Sequence, residues 1–245
     1  MTLNLITHKN ILIKILKDIY ADSTIGPVLG FKGGTAVYLF YNLNRFSVDL
    51  DFDLLDPIRK ENSNGASSGK ENHVFERVKK ILGNYGTIKQ AEKKRFNLFY
   101  VLAYDDKVPG AQNIKVEINR REFGSKYEVK SYLGISMKVM VREDMFAHKL
   151  CAMYERIGKT NRDIFDVWYF LHKDWPVNKE ILEFRTGVSF KEFLRKCIDS
   201  LEKMTDQNIL AGMGELLDVK QKDWVKTKLR TETIFLLKLK LQNED

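Results

Sequence analysis

Cysteine is scarce in this chain: two residues in 245, Cys151 and Cys197. That count excludes a disulfide framework and suits a reducing compartment. Both fall in segments whose apolar spacing is helical. Histidine is also sparse, and His8, His73, His148 and His172 lie scattered, without the spacing of zinc ligands. No apolar run approaches the roughly 20 residues of a membrane span, and the N-terminus lacks a secretory signal pattern. These absences predict a cytoplasmic protein with no membrane partner. No internal repeat is visible, so a repeat architecture is excluded.

What is present is ordinary for a globular protein: 44% hydrophobic and 30% charged residues. The length allows one large domain or two small ones, each with a core. The formal net charge is +8. A basic chain that carries a local acidic cluster points to a polyanion attracted by the bulk surface and processed at the cluster.

That cluster is the stretch Asp49-Leu50-Asp51-Phe52-Asp53. Strand side chains alternate, so Asp49, Asp51 and Asp53 share one face of a strand over 46–54, while Leu50, Phe52 and Leu54 share the other and read as core. Carboxylates aligned on one face repel. A divalent metal, with phosphate oxygens completing its shell, relieves that repulsion. Just upstream, Val28 to Phe31 is short and apolar, a buried strand. Gly33-Gly34 then turn into a helix over 35–41, an arrangement that lets a ligand approach the backbone and favours anions; a plain strand-to-helix turn reads the same way.

Around this centre, apolar periodicity predicts a helix over 8–20, from Ile11, Leu12, Ile15, Leu16 and Ile19. It predicts a further helix over 74–82 and strands over 87–94, 96–104 and 114–119. Residues 56–72 are polar and read as a flexible loop, and 105–111 as a hairpin turn. In the last strand Ile114, Val116 and Ile118 point inward and Lys115, Glu117 and Asn119 outward. From about 141 the pattern is helical, over 145–157, 160–171, 190–201 and 224–241. The expected fold is α/β: a mixed sheet with flanking helices in residues 1–138, followed by a helical C-terminal domain in 139–245.

If the Glu117 strand lies beside the acidic strand, Glu117 joins Asp49 and Asp51. Such a carboxylate group can hold two metals about 4 Å apart for in-line phosphoryl transfer; a salt bridge to a lysine is the alternative for Glu117. Lys149 and Arg156, seven apart on a helix, face one way, which favours an anion. Asp163 and Asp166 share a helical face, although Asp163, three residues after Thr160, also suits a capping box. Arg45 and Ser47 either buttress the acidic strand or contact phosphate.

Taken together, Lys32-Gly33-Gly34-Thr35-Ala36, then Arg45-Phe46-Ser47-Val48-Asp49-Leu50-Asp51-Phe52, then His148-Lys149-Leu150 with Ala152 and Arg156, then Arg162-Asp163 with Asp166-Val167-Trp168, resemble the AbiEii/AbiGii toxin family of nucleotidyltransferases, within the DNA-polymerase-β-like superfamily. The resemblance spans about 28–172. It implies the nucleotidyltransferase fold and transfer of a nucleoside monophosphate from a nucleoside triphosphate (NTP) to an acceptor hydroxyl, with Mg²⁺ or Mn²⁺. It implies Asp49 and Asp51 as metal ligands; Glu117, from its place on the neighbouring strand, or Asp163 is then the base or third ligand. It places Lys32, Gly33, Gly34, Thr35, Arg45 and Ser47 about the nucleotide, Lys149 on a phosphate, and Asp163 or Asp166 completing the site. Asp53 becomes a residue behind the ligands or at the surface. It further implies the toxin half of a bacterial toxin–antitoxin pair, with an antitoxin partner and an RNA acceptor such as the end of tRNA. A protein or small-molecule acceptor, or an inactive binding module, are the alternatives.

Overall fold

The computed structural model describes residues 4–55, 67–104 and 113–244. Its described residues form two compact units. One gathers the chain up to Asn42 with Phe46–Glu122 and Tyr127–Met140; the other gathers Leu43–Arg45, Phe123–Lys126 and Val141–Asp245.

The first unit is a seven-stranded mixed sheet with helices. In chain order it contains α1 (Leu5–Ala21), β1 (Leu29–Lys32), α2 (Gly33–Phe40), β2 (Leu50–Leu54), α3 (Ser67–Gly83), β3 (Thr87–Lys93), β4 (Asn97–Ala103), β5 (Asn113–Asn119), β6 (Tyr127–Tyr132) and β7 (Ile135–Met140). The strand order is β3-β4-β5-β2-β1-β7-β6. β2 runs antiparallel to β1 and parallel to β5. The acidic strand is therefore central, flanked by the strand that feeds the glycine turn and by the strand that carries Glu117.

Register explains why one face is core. Phe31 pairs with Phe52, Phe52 with Ile118, and Ile118 with Leu98; Leu50 pairs with Val116 and Val116 with Tyr100. All of these side chains are fully buried. Each large apolar group so buried contributes roughly 1.5–3 kcal/mol. Tyr20 of α1 lies against Phe52, and Phe75 of α3 stacks on Tyr100, so α1 and α3 cover this face. The opposite face carries Lys32, Asp51, Asp53, Glu117 and Asn119 by the same alternation.

Several expectations are corrected here. β2 starts at Leu50, so Asp49 lies one residue ahead of the strand rather than within it. Residues 67–72 belong to α3, not to a loop; the rest of the expected loop, 56–66, and the expected hairpin turn at 105–111 lie outside the described residues. Asn119 lies on the expected face with Glu117 but is buried there. Residues 127–140 form a hairpin where no strand was expected. Its two-residue turn puts Leu133 and Gly134 at φ 49° and 79°, the pairing that matches strand twist. β7 then runs parallel to β1, with Val139 opposite Phe31.

The second unit is helical: α4 (Arg142–Arg156), α5 (Arg162–His172), α6 (Lys179–Thr186), α7 (Phe190–Lys203), α8 (Val219–Trp224) and α9 (Arg230–Gln242), the last two joined through a π turn at Val225–Leu229. α4 packs on α5, α6 and α7, and α9 on α5 and α7. α6, missed in the sequence, is bounded by an Asn178 N-cap and by Gly187 at φ 71°. Asp144 of α4, fully buried, accepts the Lys126 N–H and an Asn178 amide hydrogen at 2.6 Å each. Among the described residues no helix is long and apolar enough to cross a membrane.

Candidate active site

The turn between β1 and α2 is built around Gly33. Its φ is 77°, a left-handed conformation that disfavours a side chain. A β-carbon there would also lie 2.2 Å from Asp51 Oδ2 and 2.8 Å from Asp51 Cβ. Glycine is thus required twice, and the reason in space is that the Asp51 carboxylate rests against the first residue of α2. Asp51 is opposite Lys32 on one side and Glu117 on the other. The three carry side chains to the same face, with neighbouring strands about 4.8 Å apart.

The approach to β2 is pinned from two directions. Thr35, buried in α2, has its hydroxyl 2.9 Å from Ser47 Oγ and donates to the Asp49 carbonyl oxygen. His8 of α1 is fully buried, with Nε2 2.9 Å from the Val48 carbonyl and Nδ1 2.9 Å from the Tyr104 hydroxyl. A carbonyl only accepts, so Nε2 holds a hydrogen; burial holds the ring's pKa below the ordinary value. Asp49 itself is partly exposed. Thr35, expected with Ser47 about the nucleotide, is thus bonded both to Ser47 and to the backbone of Asp49, which it holds in place.

Glu117 accepts a hydrogen bond from Asn97 Nδ2 at 2.7 Å. Lys32, also expected at the nucleotide, pairs with Asp53 at 2.6 Å. Asp53 is only 7% exposed. Besides Lys32 it accepts from Asn119 Nδ2 at 2.7 Å and from the Tyr127 hydroxyl. Burial alone would raise its pKa, but Lys32 and these hydrogen bonds hold the carboxyl below the ordinary aspartate value. Of the two places expected for Asp53, behind the ligands or at the surface, its burial excludes the surface.

The helical unit holds the other candidates in one ion-pair network. Lys149 Nζ lies 2.8 Å from Asp163 Oδ1 and 2.6 Å from Asp166 Oδ2. Arg45 grips Asp166 in a bidentate pair, Nε to Oδ1 and Nη2 to Oδ2, both 2.7 Å. Arg156 Nη2 is 3.1 Å from Asp163 Oδ2, at an angle that leaves this buried oxygen without an aligned donor. Lys149 and Arg156 do reach one point, as their spacing requires. The capping-box alternative for Asp163 fails: Asn161 is the N-cap, and the Asp163 side chain goes to Lys149. Asp166 is fully buried. Burial disfavours its charge, but Arg45 and Lys149 outweigh that and hold its pKa well below the usual range. Arg45 is accordingly a structural partner of Asp166.

A family model described as "Nucleotidyl transferase AbiEii toxin, Type IV TA system" matches residues 14–231. The chain belongs to that family. It is a nucleotidyltransferase of the toxin–antitoxin type. No curated protein matches the sequence significantly. Solved structures share its fold: JHP933 from Helicobacter pylori, with TM-score 0.56 and 21% identity, is covered over 96% of its length and covers 100% of this chain. MenT4, a nucleotidyltransferase toxin of Mycobacterium tuberculosis, has TM-score 0.54 and 16% identity over 93% of this chain and 82% of its own.

A nucleotidyltransferase of this family raises the question of a divalent metal. Among the described residues no three His, Cys, Asp or Glu side chains are grouped to hold an ion by themselves. The donor set still fits Mg²⁺, which binds through one or two carboxylates together with substrate phosphates and seldom uses a cage made only of protein. Asp51 beside a turn that admits no side chain, and Glu117 in register with it, are donors of that kind. Both cysteines are buried, and burial pushes the Cys151 thiol up to about 11 and the Cys197 thiol higher still, which disfavours the thiolate.

Sequence reasoning missed Asn97, Asn119 and Tyr127. Alternation had put Asn119 on the carboxylate face. The signal for Tyr127 was Gly30: a glycine inside a strand marks close approach, and a β-carbon there would lie 2.2 Å from the Tyr127 ring.

Proposed function

We propose that this enzyme transfers a nucleoside monophosphate from an NTP to an acceptor hydroxyl on RNA, releasing pyrophosphate, as the toxin partner of a cognate antitoxin. Asp49 and Asp51 are its divalent-metal ligands and Glu117 the third carboxylate. The observation that carries this reading is the closeness of the Asp51 carboxylate to Gly33: it brings one acid of the Asp49-Leu50-Asp51 pair against the start of α2. The α2 N-terminus, with the Gly33 and Gly34 N–H groups, favours phosphate oxygens. Thr35, Ser47 and His8 fix the backbone that presents Asp49. The bound metal supplies charge neutralisation at the transferred phosphoryl group. Lys149 binds a nucleotide phosphate; its network sets three cations (Arg45, Lys149, Arg156) against two carboxylates (Asp163, Asp166), so it retains net positive charge. The net charge of +8 suits an RNA acceptor, whose binding then weakens with salt.

The test is transfer of label from each of the four NTPs to total tRNA in the presence of Mg²⁺, with wild type and with Asp49→Ala/Asp51→Ala. Label on RNA from wild type alone supports the reading. Equal labelling by the double variant removes Asp49 and Asp51 from the site. Transfer to protein or to a small molecule, with none to RNA, removes the RNA acceptor.

A further inference from the structure

The turn between β3 and β4, with the end of β5 beside it, concentrates cations and exposed aromatic surface. It reads Glu92-Lys93-Lys94-Arg95-Phe96, and the end of β5 continues as Arg120-Arg121-Glu122, five cations against two acids. Phe96 is 46% exposed. Arg95 Cζ lies 4.9 Å and Arg121 Cζ 5.3 Å from its ring centroid. Lys94 Nζ lies 3.8 Å from the centroid of the partly exposed Phe99 and 3.9 Å from Glu92 Oε2. Significant cation–aromatic contacts occur roughly once per 70–80 residues, so three cations over two rings at one turn set this place apart. We propose that the turn is a platform for a single-stranded segment of the acceptor RNA, with a base stacked on Phe96 and the Arg95 and Arg121 guanidinium groups meeting its phosphates.

The platform is held in shape by backbone and by Arg120. The Lys94 N–H donates to the Asn97 carbonyl, and the Arg120 N–H to the Phe96 carbonyl, both at 2.8 Å. Arg120 Nη2 donates to the Lys94 carbonyl, and Nη1 to Glu71 Oε1 at 2.7 Å. Arg120 is thus engaged in the fold, whereas Arg95 and Arg121 are exposed. A surface ordered beforehand loses little freedom when a ligand arrives. The platform also adjoins the carboxylates. Asn97, next to Phe96, donates to Glu117 Oε1 at 2.7 Å, and Phe99 is the register partner of Glu117. Arg121 Nε is 3.1 Å from Oδ1 of Asn119, the register partner of Asp53. At about 3.3 Å per residue, Phe96 and Glu117 are on the order of 10 Å apart. An acidic peptide would answer the charge but not the ring. A nucleotide answers both, with a π face and a phosphate in one unit, and only a single strand has its bases free to stack.

This proposal rests on the reading of RNA as acceptor, and its test separates the two. A fluorescein-labelled single-stranded RNA of about 12 nucleotides, within the range one stacking surface engages, is titrated with the full chain and read by anisotropy. KM values for total tRNA and for NTP are measured in the transfer reaction alongside. Phe96→Ala is expected to weaken binding of the single strand roughly tenfold and to raise KM for tRNA but not for NTP; Phe96→Trp is expected to restore binding. A blunt RNA duplex of the same length should bind Phe96→Ala and wild type alike. Arg95→Gln is expected to lower the slope of log affinity against log salt by about 0.7, the loss of one phosphate contact; an unchanged slope overturns the part given to Arg95. Equal single-strand affinity in Phe96→Ala and wild type overturns the platform while the acceptor reading stands. A raised KM for NTP with that for tRNA unchanged assigns the ring to the triphosphate's base and overturns it too. Single-strand binding that depends on Phe96, with no label transferred to any RNA, supports the platform and overturns the acceptor reading. If Phe96→Ala does not fold by circular dichroism, Phe96→Leu, which keeps an apolar side chain without a π face, decides by the same outcomes.

Discussion

Two aspartate pairs in this enzyme have opposite surroundings. Asp163 and Asp166, three apart on α5, face Lys149, Arg45 and Arg156, and Asp166 is fully buried. Asp49 and Asp51, two apart at the start of β2, are partly exposed, and Asp51 has another carboxylate, Glu117, in register beside it. The helical pair comes with its own cations; the strand pair stands next to more negative charge and to a glycine that leaves room. The first arrangement is an ion-pair network closed within the helical unit. The second is the one we propose as the metal site.

The sharpest way to break this contrast is to remove each pair. Asp49→Ala/Asp51→Ala should lower transfer by at least about a thousandfold while the melting temperature holds or rises, because repulsion is relieved; a proportional loss of activity and of folded protein would make the strand pair structural. Asp166→Ala should instead destabilise by roughly 3–5 kcal/mol, since it strands Arg45 and Lys149 without their carboxylate, read as a shifted urea midpoint. Gly33→Ala should cost about 1–3 kcal/mol of backbone strain and should also push Asp51 out of place, so activity falls further than stability does. The smallest effect is in pH. Asp166 and Asp53 both have folded-state pKa values below the unfolded value near 3.9. Their contribution is complete above that value and is lost as pH falls through the folded-state values. The urea midpoint should drop between pH 5 and pH 2, and Asp166→Asn should flatten that drop.

Much of the sheet unit was legible because its signals are local. Strict alternation over Ile114–Asn119 and Leu50–Leu54 gave both the strands and their buried faces, and register then made Glu117 the neighbour of Asp51. β6 escaped notice because it is an edge strand: Tyr127-Glu128-Val129-Lys130 mixes charge with exposed valine, as edges do, and carries no clean apolar face. The partners of Asp53 escaped for another reason. Asn119 and Tyr127 lie 66 and 74 residues further along the chain, and no spacing rule links residues so far apart. Lys32 and Thr35 were visible as polar groups by the glycine turn, but which neighbour each would bond depended on register that composition does not encode. Arg45 read as a buttress of the strand or a phosphate contact; its bidentate pair is with Asp166 of the helical unit.

The π turn at Val225–Leu229 has a consequence for how the C-terminus can vary. Val225, Leu229, Thr233 and Leu237 are all buried, spaced four residues apart, whereas an α-helix repeats every 3.6 residues. The wider turn absorbs one extra residue and resets the phase between α8 and α9. Deleting Thr227 would convert it to ordinary helix and rotate everything that follows by about 100° around the axis, carrying Leu237 away from the core. This stretch should therefore tolerate exchange of its lysines far better than any change in its length.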